Sequence, residues 1–170
     1  MELPGGTGLG GELASHAVRQ AGLADRDQIA AMCALLWPES SETEHGEEVG
    51  KVLTSGFYGL MPAVFLVSHD GDGVLSGFLQ LGLRSHADGC DPSRPVGFVE
   101  GWFVHERFRG RGIGGALMRA AERWAELEGC AEMASDTWID EEQSQRAHCA
   151  LGFEVVDRCV HFRKRIAAGG

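Results

Sequence analysis

The stretch Val96–Trp124 reads VGFVEGWFVHERFRGRGIGGALMRAAERW, and the rest of the chain is best understood outward from it. It opens as a strongly apolar strand, VGFVEGWFV, ending at Val104. It closes as the start of an amphipathic helix from about Gly112 to Glu128. There Ile113, Leu117, Ala120, Ala121, Trp124 and Leu127 recur at helical spacing, and Gly129 is a stop signal. Between them lie Arg109 and Arg111 interleaved with Gly110, Gly112, Gly114 and Gly115. Glycines let backbone approach a ligand closely, and a helix N-terminus offers unpaired N–H groups with partial positive charge. The spacing therefore predicts an anion cradle. It is not a Walker loop, since no Gly-Lys-Ser/Thr follows, and the G-x-G-x-x-G spacing of a dinucleotide fold is imperfect. An RNA-binding Arg/Gly tract would need repeats and a basic surround. This tract occurs once, in a chain with 25 Asp and Glu against 15 Lys and Arg and a formal net charge of −10.

Working outward, Ser15–Ala21 reads as a first strand. The segment after it, with Asp25 and Gln28 as a capping box and Ile29, Met32, Cys33 and Leu36 on one face, reads as a helix ending before Pro38. SETEHGEEVGKVL is a second helical segment so acidic that a mobile cover is expected rather than a core element. PAVFLVSHDGDGVLSGFLQLGLRS is a hairpin turning at Asp70–Gly73. After the central helix, CAEMASDT is a strand, DEEQSQRAHCALGF a short helix ending at Gly152, and EVVDRCVHFRKRI one or two final strands. The expected fold is α/β (α+β), one domain over 15–170 behind a flexible tail at 1–14, with a mixed sheet flanked by helices.

RGRGIG resembles the Arg/Gln-x-x-Gly-x-Gly/Ala signature of the GCN5-related N-acetyltransferases (GNAT), and the order of elements around it is similar to that family's core. The resemblance implies a mostly antiparallel central sheet with parallel core strands that splay, acetyl-coenzyme A as co-substrate, and no metal. LWP at Leu36–Pro38, VEGWFV, EMASDT, AHCALGFEVVD and FRKR together resemble, more narrowly, the aminoglycoside 6′-N-acetyltransferases. That implies acetyl transfer to the 6′-amine of a cationic antibiotic, giving resistance, and a homodimer. The alternatives are the same chemistry on a polyamine or a protein lysine, or a non-catalytic acyl-CoA-binding module.

Acetyl transfer needs a neutral amine, a proton acceptor, a polarised thioester carbonyl and a stable leaving thiolate. Glu100 interrupts an apolar strand, with Phe98 and Trp102 on its own face by alternation. Burying a carboxylate there without a purpose is costly. Asp136 ends the next core strand. The resemblance implies that these two acids bind the substrate's amines and that one takes the proton. It implies that the backbone of Trp102, Phe103 and Val104 holds the pantetheine arm, and that Arg109, Gly110, Arg111, Gly112, Ile113, Gly114 and Gly115 hold the pyrophosphate. His148 stands where many relatives carry a proton-donating tyrosine, and Glu141 where many have an asparagine. By the same resemblance Trp37, His86 and Asp157 match substrate-pocket positions, the last from its own or a neighbouring subunit. Glu39, Glu42, Glu44, Glu47 and Glu48 steer polycations whichever way they face.

The five scattered cysteines lack any C-x-x-C pairing, and the seven histidines lack an H-x-x-x-H pair, so neither a disulfide framework nor a metal site is expected. No cysteine has the setting of a nucleophile, which favours direct transfer over an acyl-enzyme. The acidic balance disfavours nucleic acid and anionic membrane as partners. With no membrane span and no signal-peptide pattern at MELPGGTGLGGEL, a cytoplasmic location is expected.

Overall fold

The computed structural model describes residues 17–70 and 72–165. The expected flexible tail at 1–14 lies outside them, as do Ser15 and His16 of the expected first strand. The chain runs β1 (Val18–Gln20), α1 (Arg26–Leu36), α2 (Glu42–Ser55), β2 (Phe57–Tyr58), β3 (Met61–His69), β4 (Leu75–Arg84), β5 (Val96–Val104), α3 (Ile113–Leu127), β6 (Met133–Ser135) and α4 (Glu142–Ala150). The strand order is β1-β3-β4-β5-β6, with β2 paired to β3. All pairings are antiparallel except β5 with β6, which run parallel. The sheet is therefore mixed and mostly antiparallel, as the family resemblance implies.

Side chains alternate to two cores on opposite faces of the sheet. Val64, Leu66, Leu79, Leu81 and Val99 meet Ile113, Leu117, Met118, Ala121 and Ala125 of α3 on one face. Ala63, Phe65, Val67 and Phe78 meet Ile29, Met32 and Cys33 of α1 and Val49 and Val52 of α2 on the other. The acidic segment expected to be a mobile cover is thus a core helix. Val49 and Val52 are almost completely buried, and this burial offsets the repulsion along its exposed face. Ser41 and Glu44 close a reciprocal capping box at its start, and Gly56 ends it in the left-handed region at φ 74°.

Asp25 does not pair with Gln28. It is buried, caps a short 3₁₀ turn through the Gly22 N–H at 2.8 Å, and takes both arms of Arg19 at 2.7 Å. Gln28 instead ties α1 to the β3–β4 turn, accepting from the Leu75 N–H at 2.9 Å and donating to the Gly73 carbonyl at 3.2 Å. The Arg19 hydrogen bonds, opposed by burial and aided by the Gly22 N–H, hold the Asp25 carboxyl below its ordinary range. A depressed folded value means that stability is fully present above the unfolded pKa of about 4 and is lost as pH falls through the folded one. Asp25→Asn is accordingly expected to cost about 2 kcal/mol of unfolding free energy at neutral pH. The gap from wild type should narrow in acid. Urea melts at pH 7 and below pH 4 check both the size and the trend.

The final strand expected over Glu154–Ile166 does not form within residues 154–165, and Ile166 lies outside the description. A strand needs a neighbour for its N–H and C=O groups, and this segment has none in the described fold. It runs past the 85–95 loop, where Val156 packs on Gly89, and it exposes Val155, Val156, Val160 and Phe162.

Candidate active site

β5 organises the site. Along its first half it has a strand on each side. Gly97, Phe98 and Val99 pair with Met133, Ala134 and Ser135, and there the parallel pairing stops. From Gly101 to Val104, β5 keeps β4 on one side and has no strand on the other among the described residues. Its free edge therefore opens into a splay bounded by β6, α4 and the start of α3.

The pairing of β5 with β4 slips at the same point. Val99 faces Leu81 and Gly101 faces Gln80, which leaves Glu100 as the extra residue of a β-bulge. The bulge corrects the face expected from alternation. Trp102 packs with the α3 core, whereas Glu100 shares the opposite face with Trp37 and Phe65. A cavity of about 280 Å³ lies there between α1, α2 and the sheet, lined among others by Trp37, His45, Glu48, Tyr58, Gln80 and Glu100. Its floor is kept low by glycine. A Cβ on Gly82 would touch the Glu100 carboxylate at 3.7 Å, and one on Gly101 would collide with the Trp37 indole. His45, buried on α2, steadies that indole. Its Nε2 lies 3.0 Å from the Trp37 carbonyl, and the two ring centroids are 6.0 Å apart.

Glu100 is held, not bare. Arg84 Nε donates to Oε1 at 3.1 Å and a terminal guanidinium nitrogen to Oε2 at 2.8 Å, while the guanidinium lies 3.3 Å above the Phe98 ring. Arg84, His45, Tyr58 and Gln80 are absent from the sequence-derived site. Their only signal is position on the strands and helix flanking Glu100, which appears once the register is known. Cys33 also lines the cavity, but burial, with Glu48 adding to it, pushes its thiol up to about 12. It holds no thiolate at neutral pH.

On the other face, Gly110 and Gly112 take φ values of 73° and 81°, and Gly112 is the N-cap of α3. No side chain caps the helix and no acidic residue stands in its first turn. The first helical bond is from the Ala116 N–H to the Gly112 carbonyl, so the N–H groups of Ile113, Gly114 and Gly115 are left to a ligand. The Ile113 side chain is core, so only its backbone can serve there. Gly114 lets the Trp102 indole lie against the helix start, where a Cβ would come within 2.8 Å of Cζ2. The Trp102 Nε1–H is buried and has no partner among the described residues. Arg109 Nε donates to the Val104 carbonyl at 3.0 Å, and Arg107 and Arg111 flank the Phe108 ring. Burial, with Arg107 and Arg109 beside it, holds the His105 imidazole below its ordinary range. An unpaired indole donor, three N–H groups and clustered arginines fit a pyrophosphate-bearing coenzyme.

His148 bounds the splay from α4. Its Nδ1 faces the Ser144 carbonyl at 2.8 Å and its Nε2 the Ser135 hydroxyl at 3.0 Å, with the ring edge-on to Trp102 and Phe153. A carbonyl only accepts, so Nδ1 carries the proton of the neutral ring and the Ser135 hydroxyl donates to Nε2. The Ser135 hydroxyl oxygen also lies 3.3 Å from the Val99 carbonyl. Asp136 is exposed one residue past the last β5–β6 pair, as Glu100 is on β5. His86 and Asp157 are exposed and do not line the cavity.

Among the described residues no cluster of metal-ligating side chains occurs, and no helix is long and apolar enough to cross a membrane. The splayed β5–β6 pair, the glycine-capped helix and the arginine-glycine loop are those of an acyltransferase using a coenzyme thioester. Residues 29–153 match the Acetyltransferase (GNAT) family, and the chain belongs to it. Within that family it is 38% identical, over 88% of its length and 97% of the relative's, to the aminoglycoside N(6′)-acetyltransferase type 1 of Klebsiella aerogenes. It is also 38% identical to that of Stenotrophomonas maltophilia, over 86% and 91%. Among solved structures it resembles AAC(6′)-Iy bound to the bisubstrate analogue CoA-S-monomethyl-acetylneamine, with TM-score 0.78, 34% identity, and 88% and 98% of the two chains covered. AAC(6′)-Ih from Acinetobacter baumannii superposes with TM-score 0.78 at 28% identity, over 89% and 99%.

Proposed function

We propose that the protein transfers the acetyl group of acetyl-coenzyme A to the 6′-amine of aminoglycoside antibiotics by direct attack in a ternary complex. The observation that carries this reading is that one strand serves two sites of opposite sign. The free edge and end of β5 lead to an anion cradle, and its bulge presents a carboxylate to a cavity on the other face. A polyanionic coenzyme and a polycationic acceptor can therefore meet across it. The backbone of Trp102, Phe103 and Val104 receives the pantetheine arm, and Arg109–Gly115 receive the pyrophosphate. Trp37 offers an apolar wall for sugar rings, while Glu100 and Glu48 offer negative charge for ammonium groups.

The acceptor nitrogen attacks the thioester carbonyl as a free amine and becomes strongly acidic once bonded to that carbon. Asp136 takes its proton, directly or through water. As the carbon–sulfur bond breaks, the thiolate leaves and is protonated from His148. Supporting this division of labour, Glu100 is an ion-pairing group, held by Arg84 in the empty site, while Asp136 is exposed. The protein acts as a homodimer. Supporting this are the exposed apolar side chains of the 154–165 segment and the lack of a further strand beside β6 among the described residues. Covering that segment would bring Asp157 to a neighbouring site.

The test is thiol release from acetyl-coenzyme A with a kanamycin-type aminoglycoside, with spermidine and with a lysine peptide. Release with the aminoglycoside, and a product acetylated at the 6′-nitrogen by NMR, is expected. Release only with the other two amines overturns the reading.

A further inference from the structure

The acceptor cavity contains a contradiction. Its strand-borne carboxylate, the group best placed to receive a cation, already has one. The Arg84 fork takes both oxygens of Glu100 in a bidentate pair, and its guanidinium is laid over the Phe98 ring. The Glu100 side chain is 23% exposed and that of Arg84 42%. The carboxylate therefore sits at the cavity wall while the cation reaches solvent. Arg84 stands at the end of β4, opposite Val96, and can swing outward without disturbing either core. Gly82 beside the carboxylate leaves open the side from which an acceptor approaches.

We propose that Arg84 is a built-in competitor for the acceptor subsite. It holds Glu100 in the empty enzyme, yields it to an incoming polycation, and so sets which amines are accepted. This rests on the assignment of the cavity to the acceptor. A half-exposed bidentate pair is weak enough to be exchanged. The exchange still subtracts from binding, because the ammonium gains Glu100 only as the guanidinium loses it. An acceptor with several ammonium groups recovers the difference elsewhere in the cavity, for instance at Glu48, whereas a monoamine does not. The pair thus favours polycations over the monoamines of the cell, a specificity created by competition as much as by attraction.

The experiment is a double-mutant cycle on the aminoglycoside KM. Arg84→Met keeps a side chain of similar length without the charge and is expected to lower KM about two- to fivefold, the range for an exposed ion pair. In a Glu100→Gln background the same change is expected to do nothing. Arg84→Lys keeps the charge but loses the fork, and should fall between wild type and Arg84→Met. Acetyl-coenzyme A affinity, measured separately, reports that each variant is folded. The proposal is overturned if Arg84→Met raises KM or leaves it alone, since Arg84 would then merely position Glu100. It is overturned if the fall persists in the Glu100→Gln background or if Arg84→Lys matches wild type, since either means general charge repulsion. Should Glu100→Gln leave KM unchanged while aminoglycoside-dependent thiol release persists, the competitor idea fails and the activity stands. Absence of that thiol release in the wild type is instead the failure of the functional reading.

Discussion

Asp136→Asn is expected to lower kcat by about two to four orders of magnitude, the span of a general base, with acetyl-coenzyme A binding intact. The parallel pairing of β5 and β6 ends at Val99 and Ser135, so Glu100 and Asp136 are the next residues on the two diverging strands. An acceptor nitrogen bound at the β5 bulge and a thioester lying in the splay meet where these strands part. Of the two acids, Glu100 pairs with Arg84 in the empty site and, in the proposed complex, with an acceptor ammonium, while Asp136 is exposed at the strand end. Asparagine keeps the size and removes the proton acceptor. The proposed coenzyme site lies at the start of α3 and the edge of β5, neither of which Asp136 builds. Single-turnover rates and coenzyme titration of the variant separate the two steps. Near wild-type turnover would remove Asp136 from the mechanism, and a rise in KM alone would make it an ammonium anchor.

What could be read from the sequence, and what could not, divides along physical lines. The strand–loop–helix unit around Arg109–Gly115 is local. Apolar runs, glycines and a 3.6-residue stripe lie next to one another, and α3 begins and ends within a residue of its expected bounds. The hairpin of β3 and β4 is local too. The bulge at Glu100 is not, because it exists only in the register of β5 against β4. Simple alternation therefore put Trp102 on the wrong face. Arg84 was invisible for the same reason, being sixteen residues from its partner. The acidic helix α2 misled through its charge. Two valines, His45 and Gly46 on its inner face outweigh four exposed glutamates, Glu42, Glu44, Glu47 and Glu48, that repel through water. The expected C-terminal strand does not form: its residues favour β structure, but the segment has no neighbouring strand among the described residues.

Gly114→Val is expected to cost about a hundredfold in acetyl-coenzyme A affinity, at the upper end of the 1–3 kcal/mol typical of overpacking. A Cβ there would stand 2.8 Å from Trp102 Cζ2 and 3.3 Å from Cε2. The indole cannot retreat far, because it packs on the α3 core and meets the His148 ring edge-on at a centroid distance of 5.3 Å. Either the indole moves into the splay or the helix start moves away from β5. In both cases the N–H groups of Ile113, Gly114 and Gly115 lose their aim at the pyrophosphate. Gly101→Ala is the matched variant on the opposite face. Its added Cβ meets the Trp37 indole, so it should raise the aminoglycoside KM and spare the coenzyme. Isothermal titration with acetyl-coenzyme A, followed by steady-state KM for the aminoglycoside, distinguishes the two. If both glycine variants lose both substrates equally, the two faces of β5 are not separate sites. If the losses segregate, one strand carries two recognition surfaces, each cleared by a missing side chain. The reaction then takes place where the bulge turns β5 from one face to the other.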